Sequence, residues 1–217
     1  MNARLSGFLR LAVCLAGIAV FSGCADYYSK RTPEYNLVSN QDKKVLIWVD
    51  ASRSSYADAD APDAVAGAIG NHLLARAGIK PHNIIYRDEA MRAGGPLPES
   101  PEAAARQVGA QLVLMVQIED YELLSMRIRN FYSGRMMTRS LLLDVQTGQA
   151  VWPASGVGKV HDIVIELGEG NRRRMLSRMA DSTAHCILRN LYPIGKNQYR
   201  NSDERMSFQE AFEMETF

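Results

Sequence analysis

Residues 44–50, KVLIWVD, form the stretch that decides the fold, a continuous run of apolar and β-branched side chains after one lysine. Such a run predicts a strand that is buried on both faces in the middle of a sheet. A helix is predicted next, because Asp60 can cap it, Pro62 fits its first turn and Gly78 can end it. Its apolar positions recur every four residues, at Val65, Ile69 and Leu73.

The remaining pattern extends this start into one domain. Two long runs, 111–124 and 136–145, predict an antiparallel pair of strands, and residues 146–149 turn the chain into a short strand at 150–152. Further predictions are a strand at 83–86, a helix at 102–108, a strand at 157–166 and a helix from Asn171 to about Leu191. On that last helix we expect the polar side chains, Arg174, Arg178, Asp181 and Arg189, to face water.

These elements indicate an α/β (α+β) fold. We expect a single, three-layer-like domain with a mixed sheet of about four to five strands, helices packed on it, and a long C-terminal helix. The domain should span residues 44–193. Residues 194–217 are acidic and weakly apolar, and we predict a disordered tail there.

The composition is that of an ordinary globular protein. The 217 residues include 25 Lys or Arg against 24 Asp or Glu, so the balanced charge gives no sign of nucleic-acid binding. Three scattered cysteines do not make a disulfide framework. The four histidines, His72, His82, His161 and His185, lack the spacing of a metal site, so we expect neither metal nor cofactor.

The N-terminal residues predict export. Arg4 and Arg10 precede an apolar run at 11–21 that is too short to span a membrane, so residues 1–23 are interpreted as a signal peptide. The run ends in Phe21-Ser22-Gly23-Cys24, which resembles the lipobox of bacterial lipoproteins with Phe in place of the usual Leu. This resemblance implies that Cys24 carries lipid, including palmitate, as a membrane anchor. The alternative is a simple signal peptide with an incidental cysteine.

The residues after Cys24 bear on location and reach. Ala25 stands where such lipoproteins carry an aspartate for inner-membrane retention, so the resemblance favours the outer membrane, with the domain facing the periplasm. Residues 24–43 are polar and lack an apolar period. We interpret them as a flexible tether with an r.m.s. span of roughly 25 Å and a stretched length of about 60 Å.

Three stretches together are similar to a group of bacterial envelope proteins: the LpoB periplasmic domain, the CsgG lipoprotein and the TolB N-terminal domain. They are KVLIWVD (44–50), VGAQLVLMVQI (108–118) and LLLDVQTGQAVWP (141–153). The resemblance implies a non-enzymatic lipoprotein whose domain docks on an envelope assembly that secretes across the outer membrane or regulates wall synthesis. It names no partner and brings no catalytic residues. A homo-oligomer is possible.

Basic and aromatic side chains share the predicted turn between the two long strands, where Arg127 and Arg139 flank four candidate contact residues. These are Arg129, Phe131, Tyr132 and Arg135. Such a set suits an anionic glycan, phospholipid headgroups or an acidic protein surface. The alternative is that the arginines only keep an exposed β-ribbon soluble.

A second basic group consists of Arg172, Arg173 and Arg174 at the start of the last helix. The helix dipole disfavours cations there, and a bound anion would relieve the conflict, so we predict an anion site. The alternative is that the three arginines are simply solvated.

Three functions remain open. The first is the lipid-anchored adaptor. The second is an auxiliary lipoprotein of an ABC-type lipid or solute transporter, which would need a closed apolar pocket for a small amphiphile. The third is a hydrolase centred on Asp50, which ends the first strand and precedes Ser52, Ser54 and Ser55. Because no nucleophile elbow or phosphate loop is present, we do not expect an enzyme.

Overall fold

A six-stranded mixed sheet forms the centre of the protein in the computed structural model, which describes residues 30–51, 58–93 and 98–206. The strand β2 (Val45–Asp50) lies between two parallel neighbours, β3 (Ile84–Tyr86) and β4 (Leu112–Ser125). Next comes the antiparallel strand β5 (Phe131–Asp144). The far edge of β5 pairs with two strands, β6 (Ala150–Trp152) and β7 (Lys159–Glu169).

Helices cover the two faces of this sheet unequally. The face that we call the helix face carries α1 (Ala61–His72), which continues as a π-helical turn over Leu73–Ala77, and α4 (Arg172–Leu188). The opposite face, the outer face, carries two short helices in the described part of the chain. These are α2 (Arg87–Arg92) and α3 (Pro101–Gln107), and both lie near β2 and β4. None of the helices in the described ranges is both long and apolar enough to span a bilayer.

Alternation along the strands explains the layers. On β5, Met136, Thr138 and Leu142 are buried on the helix face, while Met137 and Leu141 on the outer face are only half-buried. Alternate residues of a strand point to opposite faces, so β5 contributes every second side chain to the main core. The N-terminal part of β4 is buried on both faces because α3 packs on it.

The α/β fold class is confirmed, with six strands in the main sheet rather than four to five. Three helix signals also proved reliable: Gly78 ends the first helix with φ of 68°, Ser100 accepts a hydrogen bond from the Ala103 N–H, and Asn171 accepts one from the Arg174 N–H. The helix α2 was not predicted because it has no apolar period; it is capped by a hydrogen bond from the Tyr86 N–H to the Glu89 carboxylate.

Both predicted boundaries of the domain are corrected. Residues 30–43, assigned to the tether, pack on the domain: Leu37 is fully buried and its N–H donates to the Leu191 carbonyl. Two short strands, β1 (Lys30–Arg31) and β8 (Ile194–Gly195), pair with each other. The first part of the predicted tail continues as α5 (Lys196–Tyr199) and a bridge between Glu204 and Ile163 of β7. Residues 1–29 and 207–217 lie outside the described ranges, and Cys24 with them.

Candidate functional site

A short turn joins the two longest strands at one end of the molecule. The Met126 N–H donates to the Phe131 carbonyl at 2.8 Å, and the Phe131 N–H donates to the Ile128 carbonyl at 3.2 Å. Asn130 adopts a left-handed conformation with φ of 65°, which asparagine tolerates better than most residues. Residues 124–130 are all exposed, so the turn presents its side chains to solvent.

The structure separates the four predicted contact residues. Arg129 lies in the exposed turn, but Phe131 and Tyr132 are the first residues of β5 and are half-buried, with Tyr132 against the main core. Arg135 lies further along β5 on the outer face. The strand begins five residues earlier than predicted because Phe131, Tyr132 and Arg135 all pair with β7, a non-local contact that local spacing does not reveal.

Arg135 is held by carboxylates on both neighbouring strands. Its Nε and Nη2 donate to the two oxygens of Asp162 at 2.9 and 3.1 Å, and its Nη1 lies 3.4 Å from Asp120. The hydrogen bonds and charge of Asp162 raise the pKa of Arg135 above its ordinary value. Arg139 makes an equivalent bidentate pair with Glu119 of β4, at 2.6 and 3.3 Å. Both guanidinium groups are therefore already neutralised within the protein.

An open groove of about 410 Å³ lies beside these ion pairs on the outer face. Trp48, Met115 and Leu141 form its apolar wall, and Arg139 lies at its margin. The Arg87 guanidinium stacks over the Trp48 ring at 4.9 Å. The sheet leaves these apolar side chains partly exposed because α2 and α3 cover only one end of the outer face.

Asp50, the centre of the hydrolase hypothesis, also lines this groove. Its carboxylate lies 3.6 Å from Nη1 of Arg87, and both side chains are more than a third exposed. The serines predicted beside it, Ser52, Ser54 and Ser55, fall outside the described residues. The hydrolase hypothesis therefore stays untested.

The three arginines that begin α4 do not act as one group. Arg172 donates to the Asp58 carboxylate and, at 3.1 Å, to the Leu123 carbonyl, while Tyr121 Oη donates to Asp58 at 2.8 Å. Partial burial alone would raise the pKa of Asp58, but the hydrogen bonds from Arg172 and Tyr121 lower it overall. Asp58 is thus the anion that Arg172 binds. Arg173 and Arg174 are exposed.

A buried charged cluster was missed by the sequence analysis. Arg189, expected in water, is fully buried: its guanidinium donates to both carboxylate oxygens of Glu204 at 2.5 and 2.7 Å, and it stacks on the Tyr199 ring at 4.2 Å. Nδ1 of His161 lies 3.8 Å from Glu204. Burial lowers the pKa of His161. Although burial opposes ionisation of Glu204, His161 and Arg189 lower the pKa of that carboxyl to about 2.

The histidines and cysteine bear on other hypotheses. The structure brings His72 and His185 together, with ring centroids 6.1 Å apart, although the two residues belong to different predicted helices. His72 also contacts Asp181 at 2.9 Å. Within the described ranges, no group of three or more His, Cys, Asp or Glu side chains could hold a metal ion. Cys186 is buried in the core, as predicted.

Comparisons with known proteins give structural similarity without sequence similarity. No known family and no curated protein matches the chain. Among solved structures, the PelC dodecamer from Paraburkholderia phytofirmans is 18% identical, covers 75% of this chain and 94% of its own, and has a TM-score of 0.46.

Two other solved structures also resemble the chain, one of them less closely. Lipoprotein GNA1162 from Neisseria meningitidis is 15% identical over 67% of this chain and 97% of its own, with a TM-score of 0.44. The LpoB C-terminal domain from Salmonella enterica is 19% identical over 60% and 93%, with a TM-score of 0.32. The structures that resemble this chain therefore include lipoproteins, and at these identities the similarity concerns only the fold.

Proposed function

We propose that this protein is a lipid-anchored, non-catalytic interaction module of the bacterial cell envelope. It is attached through Cys24 to the outer membrane, faces the periplasm and belongs to an assembly for secretion or wall synthesis. Its outer face receives an apolar segment of a partner protein. The observation that supports this proposal is the open groove beside Trp48, Met115 and Leu141, which the start of α3 borders at Ser100 and Pro101.

The groove has the anatomy of a protein contact. Interfaces place apolar side chains at the centre and polar groups around them. Here the apolar wall is bordered by Arg139 and Arg87, whose guanidinium groups are fixed by Glu119 and by the Trp48 ring. Fixed polar groups lose little conformational freedom when a partner binds, and this lowers the cost of association. The groove is also an open cleft rather than a closed cavity, which suits a protein segment better than a small amphiphile.

Site-specific crosslinking in intact cells tests the contact surface. A photoreactive amino acid at Leu141 should capture a defined envelope protein, and Arg139→Ala should weaken this capture. The matched control places the same group at Leu74, which is exposed on the opposite side of the fold after α1. Equal capture from both positions would contradict the proposal. Lipid bound at Leu141 with no protein would instead favour the transporter auxiliary.

The anchor is tested separately. Labelled palmitate should be incorporated into the wild-type chain and not into Cys24→Ser, and only the wild type should fractionate with the outer membrane. Cys186→Ser is the matched control, since that thiol is buried and should accept no lipid. Incorporation that survives Cys24→Ser would refute the anchor but not the contact surface.

A further inference from the structure

The turn between β4 and β5 brings together apolar side chains from two distant parts of the chain. Leu124, Met126 and Ile128 are 51%, 39% and 61% exposed. Leu167, 56% exposed, comes from the end of β7, which pairs with the start of β5 through Tyr132 and Gly168. We call these four side chains the apolar tip. Exposed apolar side chains grouped in one place indicate a binding surface rather than chance exposure.

Arginines surround the apolar tip. Those at this end of the molecule are Arg127 and Arg129 in the turn and Arg173 and Arg174 at the start of α4, all exposed. Within the described ranges, no ion pair involves Arg127 or Arg129. The exposed acids beside them are Glu122, Glu166 and Glu169, since Asp58 neutralises Arg172. Four arginines against three glutamates leave this end with a small positive excess.

The turn also projects beyond the helices. Arg172, the first residue of α4, donates to the Leu123 carbonyl, while the Gly170 N–H, two residues earlier, donates to the Asn130 carbonyl of the turn at 2.8 Å. The strand β4 continues for two more residues, about 7 Å, before the turn itself. Segments that bind at a membrane interface bury their apolar side chains about 5–10 Å deep. Residues 126–129 of the turn lie past the Gly170–Asn130 hydrogen bond and are exposed, so they can enter that layer first.

We propose that the apolar tip inserts into the headgroup layer of an anionic lipid bilayer, where Arg127 and Arg129 contact lipid phosphates. Apolar side chains beside arginines suit this environment, because the arginine stems lie in the apolar layer while their charges stay with the headgroups. An acidic protein is the competing partner, but a stable protein contact needs about 20–30 residues on each side. The projecting turn offers fewer than ten.

This inference does not require lipidation of Cys24, so its test omits the lipid. The protein used is the chain from residue 24 onward with Cys24→Ser, which contains every described residue. Its binding to phosphatidylcholine vesicles is compared, by co-sedimentation, with its binding to vesicles that also contain phosphatidylglycerol. We expect binding only to the anionic vesicles, and we expect high salt to weaken it.

Matched variants locate the contact. Each arginine near an anionic surface contributes about a fivefold gain in affinity, so Arg127→Gln with Arg129→Gln should weaken binding about 25-fold. Ile128→Ser should weaken it about tenfold. The controls are Arg106→Gln, an exposed arginine on α3, and Val157→Ser, 66% exposed in the turn before β7. Both should bind like the wild type, and all variants should melt alike because every changed side chain is exposed.

An environment-sensitive fluorophore reports depth. Cys186 is buried, so a fluorophore on Ile128→Cys labels one site, and its emission should shift to the blue with anionic vesicles. The same label on Val157→Cys should not shift. The inference is overturned if the wild type binds both kinds of vesicle equally, or if the control variants lose as much affinity as the tip variants. It is also overturned if the emission of the Ile128 label shifts with an acidic protein but not with vesicles.

Discussion

Replacing Glu204 with glutamine should destabilise the protein strongly, because it leaves the Arg189 charge buried without a counter-charge. The Arg189 side chain has no exposed surface and that of Glu204 has 2%. A guanidinium in that position cannot recover water as its partner. Glu204 also lies in the segment that bridges to Ile163 of β7, so the same change loosens the attachment of residues 203–206.

Two arguments give the same magnitude. Breaking a buried ion pair by removing one partner typically costs about 3–5 kcal/mol. Independently, a lowering of the Glu204 pKa from 4.5 to about 2 corresponds to about 3 kcal/mol of stability at neutral pH. Because the folded-state pKa lies below the unfolded value, this contribution is present above pH 4.5 and is lost as the pH falls toward 2.

Urea unfolding at several pH values measures the effect. Trp152 is buried and stacks on the His161 ring, so its fluorescence reports directly on the cluster. The matched control is Glu119→Gln, the same chemical change in the pair with Arg139, whose guanidinium side chain is 41% exposed, and there we expect a loss below about 1 kcal/mol. The reasoning fails if the two variants lose similar stability at pH 7, or if Glu204→Gln keeps the acid dependence of the wild type below pH 4.5.

Three further predictions concern stability. The free energy of unfolding should fall below pH 6.5, because the unfolded chain binds a proton at His161 there and the buried imidazole of the folded protein does not. His161→Phe should reduce this fall, which urea unfolding at pH 7 and 5 measures. Gly134→Ala should lower the free energy of unfolding by about 1–3 kcal/mol, because the new Cβ would lie 2.7 Å from Met179 Sδ. Gly67→Ala is the control, since its Cβ would meet open space, and it should not destabilise the protein. Melting temperatures compare the two variants. Ser100→Ala should cost about 1 kcal/mol through loss of the α3 cap, and Ser100→Asp should retain most of the stability in the same melting assay.

Sequence patterns that span a few residues predicted one strand and the two longest helices. The β2 strand and the two longest helices were predictable because apolar spacing, capping side chains and glycine at a left-handed position act over a few residues. The start of β5 was not, because Tyr132, Gly134 and Arg135 pair with β4 on one side and with the distant strand β7 on the other. The register with that strand, rather than the sequence around it, moved Arg135 out of the predicted loop.

The buried cluster shows a second limit. Arg189 follows the last residue of α4, where helical periodicity no longer determines which way a side chain points. Its partner Glu204 lies 15 residues further on, and Glu204 in turn lies near His161 of β7, so no spacing in the sequence links the three. The candidate site was likewise predicted in part. The exposed arginines of the turn were identified, but Leu167 was missed because only the pairing of β7 with β5 places it at this end of the molecule.

The pairing of β1 with β8 changes how far the domain can reach from a lipid on Cys24. Only five residues lie between Cys24 and Lys30, the first residue of β1, and the connection spans at most about 20 Å. The domain would then stay close to the membrane and could contact only partners near that surface, not partners throughout the depth of the periplasm. Such confinement raises the local concentration of partners that share the membrane and leaves those anchored across the compartment out of contact.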